Sequence, residues 1–216
     1  MRRLRAILFD LDNTLYDAGA GLQDLGDVRI RQWIEMRLGL SEEEADLLRV
    51  RTWRQYGTTA RGLEAEFGIP QAPFYEETIG QIDPREHIRP NPELAAMLAQ
   101  LTAACYVFTN APAVYAVRVL DALGVRPWFR GIFDIEHSGW HCKPEPEAYH
   151  AALDSLGLPP AEVGLVEDNP RNLPPAVELG MYTVLLDNEE GEAKADLRIA
   201  RVTELAEALR RAGVEA

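Results

Sequence analysis

The chain has 216 residues, in which 22 Lys and Arg stand against 35 Asp and Glu for a formal charge of −13. An isoelectric point near 4.8 speaks against a nucleic-acid polymer or an anionic membrane as partner, because both require clustered cations. With 47% hydrophobic and 26% charged residues, the composition is that of a globular chain, one domain with a small insertion, long enough to bury a core without disulfides or metal staples.

Two cysteines, Cys105 and Cys142, make no disulfide framework and favour a reducing compartment. Met1 to Arg5 is basic, but the apolar run behind it stops at Asp10 without a small-residue cleavage site, so no signal peptide is expected. No run of about 18 uncharged apolar residues exists to span a membrane. These features together read as a cytoplasmic protein.

In chain order, Leu4–Phe9 is the first strand candidate and ends at Asp10. From Tyr16 to Arg89 no strand pattern occurs. This stretch divides into helix-like pieces at Gly21–Leu38, Ser41–Tyr56, Thr59–Phe67 and Pro73–Ile82, and Ser41 with Glu44 forms a capping-box signature. Pro92–Leu101 has apolar residues at helical spacing. Tyr106–Phe108 is a strand before Thr109-Asn110, and Val114–Leu123 is a helix closed by Gly124. Gly131–Ile135 is a weaker strand, and Pro146 opens a helix. Val163–Val166 ends at Glu167-Asp168, Pro175–Leu179 is a helix stopped by Gly180, and Tyr182–Leu186 ends at Asp187. Thr203 is placed to cap a last helix through Leu209. The acidic run Asp187–Glu192 reads as a solvated loop.

Continuous apolar strands alternating with amphipathic helices predict a doubly wound α/β domain, its mostly parallel sheet covered on both faces. Residues 1–15 and 90–216 form the core, and residues 16–89 form a helical cap inserted after the first strand. That position places the cap over the carboxyl ends of the strands, where open α/β sheets bind ligands.

The chemistry concentrates at those strand ends. Asp10 and Asp12, one residue apart on a turn leaving a buried strand, can reach one point above the sheet, and two acids there are costly unless something binds them. Thr109 and Asn110 offer a hydroxyl and an amide to a bound anion. Lys143, beside Pro144, is a point charge suited to phosphate. Asp168 adds a third carboxylate, and such a hard, oxygen-rich site suits Mg²⁺ rather than zinc.

The series Asp10-Leu11-Asp12-Asn13-Thr14, Thr109, Lys143-Pro144 and Glu167-Asp168, in this order at strand ends, resembles the haloacid dehalogenase-like (HAD) hydrolases over nearly the whole chain. The resemblance implies a Rossmann-type core and a phosphatase acting on a small phosphorylated metabolite. Asp10 would be the nucleophile that forms an aspartyl-phosphate, and Asp12 the general acid and base. Thr109 and Lys143 would hold the phosphoryl group, while Asp10, Asp12 (through its backbone carbonyl) and Asp168 would hold magnesium. Where many members carry Gly-Asp or Asp-Asp, this chain has Glu167-Asp168, and Asn172 replaces a further acid. Glu167 would then reach magnesium through water, and Asn172 would orient a ligand or Asp168.

Within that family, Leu15-Tyr16, Tyr56 to Leu63 and Glu167-Asp168 with Asn172 are similar to the pyrimidine 5′-nucleotidase branch. This implies nucleoside monophosphates as substrates, with Tyr56 and Arg61 as the cap groups nearest to them. Sugar phosphates and phosphoglycolate are the alternative substrates. A regulatory protein that binds a phosphate ligand without turnover is the non-enzymatic alternative, and the intact Asp10, Asp12, Lys143 and Asp168 argue against it. Asp12 likewise argues against dehalogenation, whose enzymes lack the second acid. His137, His141 and Cys142 imitate a zinc site but lack a fourth ligand at the usual spacing.

Overall fold

The computed structural model describes residues 2–186 and 194–216, so the acidic run 187–192 lies outside the described residues. Strand β1 (Arg2–Arg3) leads into β2 (Ala6–Phe9), and four helices follow, α1 (Leu22–Leu38), α2 (Glu42–Tyr56), α3 (Thr59–Phe67) and α4 (Gln71–Glu77). The chain continues through α5 (Pro92–Leu98), β3 (Ala104–Phe108), α6 (Ala113–Leu123), β4 (Phe129–Phe133), α7 (Pro146–Leu156) and β5 (Val163–Glu167). It finishes with α8 (Leu173–Leu179), β6 (Tyr182–Leu186), β7 (Leu197–Ile199), α9 (Leu205–Arg211) and β8 (Val214–Glu215).

Six strands form one sheet in the order β4-β3-β2-β5-β6-β7, every described pair parallel. The alternation of side chains along a strand explains its two covered faces. On β2, Ile7 and Phe9 enter the core beneath α5, α6 and α9, whereas Ala6 and Leu8 enter the opposite core with Tyr149 and Ala152 of α7 and Ala176 of α8. The doubly wound α/β expectation holds. A third apolar cluster knits the helices between β2 and β3 together through Trp33, Ile34, Leu48, Leu63 and Phe74, and it reaches Ile135 and Cys142 on the sheet side.

Several local expectations hold in detail. Ser41 and Glu44 form the reciprocal capping box, and Gly124 and Gly180 close their helices in the left-handed region. Others need correction. The piece expected at Pro73–Ile82 is α4 followed by a separate 3₁₀ turn at Ile79–Gln81, because Thr78 leaves helical geometry with its hydroxyl bonded back to the Phe74 carbonyl. The helix expected to reach Leu101 ends at Leu98, and its last turn tightens into three-residue bonds. The β4 strand stops before Asp134, whose carboxylate instead accepts from the Ala113 amide at the start of α6, 2.7 Å away. Thr203 caps nothing, because a 3₁₀ turn at Val202–Glu204 precedes α9. Among the described residues, no helix is long and apolar enough to cross a membrane.

Candidate active site

The carboxyl ends of four neighbouring strands, β4, β3, β2 and β5, converge beneath α1–α4 around a cavity of about 720 Å³. Because the strands are parallel, residues distant in sequence arrive at one edge. Asp10 leaves β2, Thr109 leaves β3, Glu167 ends β5, and Lys143 comes from the segment after β4. All of these, with Asp12, Asn110, Asp168 and Asn172, line the cavity.

Lys143 organises the floor. Its side chain is 1% exposed, and its ammonium donates to Asp10 Oδ1 at 2.7 Å, Glu167 Oε2 at 2.7 Å and the Phe108 carbonyl at 2.9 Å. Its Nζ also lies 5.1 Å from the centroid of the Phe108 ring. Burial works to lower the pKa of this ammonium, but Asp10 and Glu167 outweigh it and the net shift is upward, so the group stays charged. Three donors are thus engaged inside the protein. Asn110 fixes the segment that carries the lysine: its amide nitrogen donates to the Lys143 carbonyl at 3.0 Å and its oxygen accepts from the Lys143 amide at 2.7 Å. The Asn110 side chain, expected to meet an anion, thus positions Lys143 with one of its two N–H groups and its oxygen. The Thr109 hydroxyl accepts from the Ala111 amide at 3.0 Å and keeps its own proton for another acceptor.

Asp12 sits apart from this ion pair. Tyr16 and Tyr115 both donate to the same oxygen, Oδ1, Tyr115 from 3.0 Å, which leaves Oδ2 free for proton exchange. Burial, then the charge of Asp10, pushes the Asp12 carboxyl up to about 6 despite the two donors. Burial and Asp12 push both phenols upward, so they remain donors. Tyr115 had no sequence signal: it lies on the first turn of α6, and only the packing of α6 against the loop after β2 brings it to Asp12.

Asp10, Glu167 and Asp168 each present a carboxylate oxygen, and these oxygens lie within 4.8 Å of one another. Burial and the negative charge of Asp10 raise the pKa values of both Glu167 and Asp168. Three carboxylates thus converge around a single ammonium that pairs with two of them, so the donor set fits a hard divalent cation. Glu167 has both oxygens occupied, by Lys143 and by the Asn169 amide at 3.2 Å, so it braces the lysine.

Two expected contacts are not in the cavity. Arg61 turns away to pair with Glu64 at 3.1 Å and Glu145 at 3.4 Å, and neither it nor Tyr56 lines the space. The wall of the helical segment is made instead by Asp27, Arg49, Trp53, Arg54 and Tyr75. Which face of α2 and α3 turns inward depends on helix packing, and the sequence pattern alone does not fix it. The zinc imitation also dissolves. The Cys142 thiol faces the Tyr56 carbonyl at 3.2 Å and Glu145 at 3.4 Å, whereas His137 lies against Ser155.

A family model for haloacid dehalogenase-like hydrolases matches residues 4–180. The chain belongs to that family. Glyceraldehyde 3-phosphate phosphatase of Methanocaldococcus jannaschii is 26% identical over 84% of this chain and 84% of its own. N-acetylmuramic acid 6-phosphate phosphatase of Pseudomonas aeruginosa is 29% identical over 84% and 80%. Phosphate metabolism protein 8 of Saccharomyces cerevisiae is 28% identical over 84% of this chain, which spans only 61% of that longer protein. A HAD phosphatase from Thermococcus onnurineus shares the fold with a TM-score of 0.64 at 21% identity, covering 95% of this chain and 98% of that one. L-2-haloacid dehalogenase from Xanthobacter autotrophicus shares it at 0.62 and 15%. The HAD chain is thus a hydrolase, as the residues implied, and its matched relatives of comparable length are phosphatases.

Proposed function

We propose that the protein is a Mg²⁺-dependent phosphomonoester hydrolase of small phosphorylated metabolites, in which residues 16–89 act as the cap over a core of residues 1–15 and 90–216. The observation that carries the reading is the pairing of a lysine-held Asp10 with a second, separately held acid, Asp12, at the floor of one cavity. A dehalogenase has no use for that second acid.

In the proposed reaction, Asp10 attacks phosphorus and becomes an aspartyl-phosphate while the P–O bond to the leaving group breaks. Asp12 gives its proton to the leaving oxygen and then takes one from the water that cleaves the acyl-phosphate. A pKa near 6 lets one carboxyl serve in both directions. Lys143 keeps Asp10 in line and offsets part of the charge around it. The Thr109 hydroxyl is placed to donate to the phosphoryl oxygens. Asp10, Asp168 and the Asp12 carbonyl would hold the magnesium, which would supply the remaining positive charge against an anionic substrate.

The resemblance to the pyrimidine nucleotidase branch draws on Leu15-Tyr16, Tyr56 to Leu63 and Glu167-Asp168 with Asn172, and Tyr56 and Arg61, its implied substrate contacts, do not line the cavity. Sugar phosphates and phosphorylated hydroxy acids therefore stand beside nucleoside monophosphates in the test. Phosphate release is measured across such a panel with Mg²⁺, after exhaustive chelation, and after Mg²⁺ is restored. Turnover that is lost on chelation and regained with Mg²⁺ is expected. Release unaffected by chelation would overturn the metal requirement, and no release from any ester, an aryl phosphate included, would overturn the hydrolase reading for phosphomonoesters.

A further inference from the structure

Three cationic side chains line the cavity, Lys143, Arg49 and Arg54. Lys143 is consumed by Asp10, Glu167 and a carbonyl. Arg49 is consumed as well: Nη1 meets Asp27 at 2.9 Å, and Nε and Nη2 meet Asp46 at 2.9 Å. The Arg54 guanidinium has no hydrogen-bond or ion-pair partner among the described residues, although the chain carries 35 acids. Its neighbours Arg31, Arg51 and Arg61 on the same helical segment each hold a carboxylate. Arg54 is thus an exposed cation, unpaired among the described residues, at the edge of a cavity whose other charges are mostly carboxylates.

Its backbone is anchored. Arg171, in the loop that follows Asp168, donates Nη2 to the Arg54 carbonyl at 2.7 Å and lies 5.1 Å from the centroid of the Trp53 ring. The last turn of α2 is therefore clasped to the same loop that carries the acidic end of β5, and Asn169 and Pro170 of that loop line the cavity beside Trp53 and Arg54. A phosphate ester seated at Asp10 would share this cavity with Arg54. An anion on its leaving group would lie in the same cavity as Asp27, and Arg54 offers donors that can offset the repulsion. A guanidinium presents two parallel N–H groups that match a carboxylate or a phosphate.

We propose that Arg54 is a specificity-determining residue that binds a second anionic group on the leaving-group side of the substrate. The substrate is then a phosphomonoester that also carries a carboxylate or a second phosphate. This inference rests on the phosphatase reading.

The test compares kcat/KM with Mg²⁺ in two arms that separate the sources of the second anion. One arm sets 2-phosphoglycolate against 2-hydroxyethyl phosphate, and the other sets glucose 1,6-bisphosphate against glucose 6-phosphate. In one arm the ratio of charged to neutral substrate is expected to fall by about tenfold or more in Arg54→Gln, the loss of a hydrogen bond to a charged partner. Arg54→Lys is expected to retain part of that ratio. Arg51→Gln, on the same helix but paired with Glu66, is expected to leave it where it was. A ratio unchanged within twofold in both arms for Arg54→Gln would overturn the proposal, as would a wild-type preference for uridine 5′-monophosphate over both charged substrates. Turnover without charge selectivity sinks this inference alone, whereas no turnover of any ester, an aryl phosphate included, sinks the phosphatase reading as well.

Discussion

Replacing Lys143 with methionine keeps roughly the length of the side chain and removes its charge. The ammonium holds two buried carboxylates at 2.7 Å and a carbonyl at 2.9 Å. Breaking a buried ion pair from one side costs about 3–5 kcal/mol, because the surviving charge stays desolvated. Glu167 already has a raised pKa and relieves part of that cost by taking up a proton, so the lower end, about 3 kcal/mol, is expected. For a chain of this size the melting temperature should fall by roughly 6–12 °C. Urea unfolding followed by the fluorescence of the four tryptophans, in chelator so that no cation contributes, measures the loss directly. Glu167→Gln, which removes one charge but keeps an acceptor for the lysine, should cost less than about half as much, and the double variant should be less than additive. Additive losses, or a Lys143→Met variant within about 1 kcal/mol of wild type, would refute the account of Lys143 as the cation that makes this floor foldable.

Asp10→Asn should abolish phosphate release with the fold intact, because an amide cannot form the acyl-phosphate. Asp12→Asn should still accumulate phosphoenzyme from an aryl phosphate, visible as a burst in rapid quench, and equal residual rates for the two variants would contradict the division of roles. Tyr115→Phe removes one of two donors from Asp12 Oδ1 and should lower kcat about tenfold with little change in KM, the size of one charge-assisted hydrogen bond. Gly57→Ala places a Cβ 2.8 Å from the Cys142 sulfur and 3.1 Å from the Lys143 carbonyl at φ +87°. It should cost about 1–3 kcal/mol in urea unfolding.

The floor of the candidate site was legible because parallel strands align their carboxyl ends. Once Leu4–Phe9, Tyr106–Phe108 and Val163–Val166 are read as buried strands, Asp10, Thr109 and Asp168 must share an edge whatever the details. Lys143 was marked by the proline beside it, and the structure adds that its three donors face inward. The helical wall was not legible. Arg61 and Tyr56 were as plausible by pattern as Arg49, Trp53 and Arg54, since a helix between two layers exposes several polar faces and only the packing of Trp33, Leu48 and Leu63 decides which turns in. Short elements escaped for a different reason. β7 has three residues and pairs with β6, while β1 and β8 have two each and pair only with one another, and pieces that short carry no periodicity to read.

The pairing of β2 also fixes a history. Ala6 sits between Ala104 on one side and Val163 on the other, partners drawn from the middle and the far end of the chain. The helices between β2 and β3 pack on their sequence neighbours, α1 on α2 and α2 on α3, so their loops close at small entropic cost and they can settle early. During synthesis these helices are therefore ready before the sheet they lie over is complete. Until β5 emerges, the strand that leads to Asp10 is an apolar ribbon, Ala6-Ile7-Leu8-Phe9, with one open edge of unpaired amides and carbonyls. A polypeptide interrupted before Val163 would hold Asp10 without Glu167 or Asp168, inert as a catalyst and adhesive as a surface.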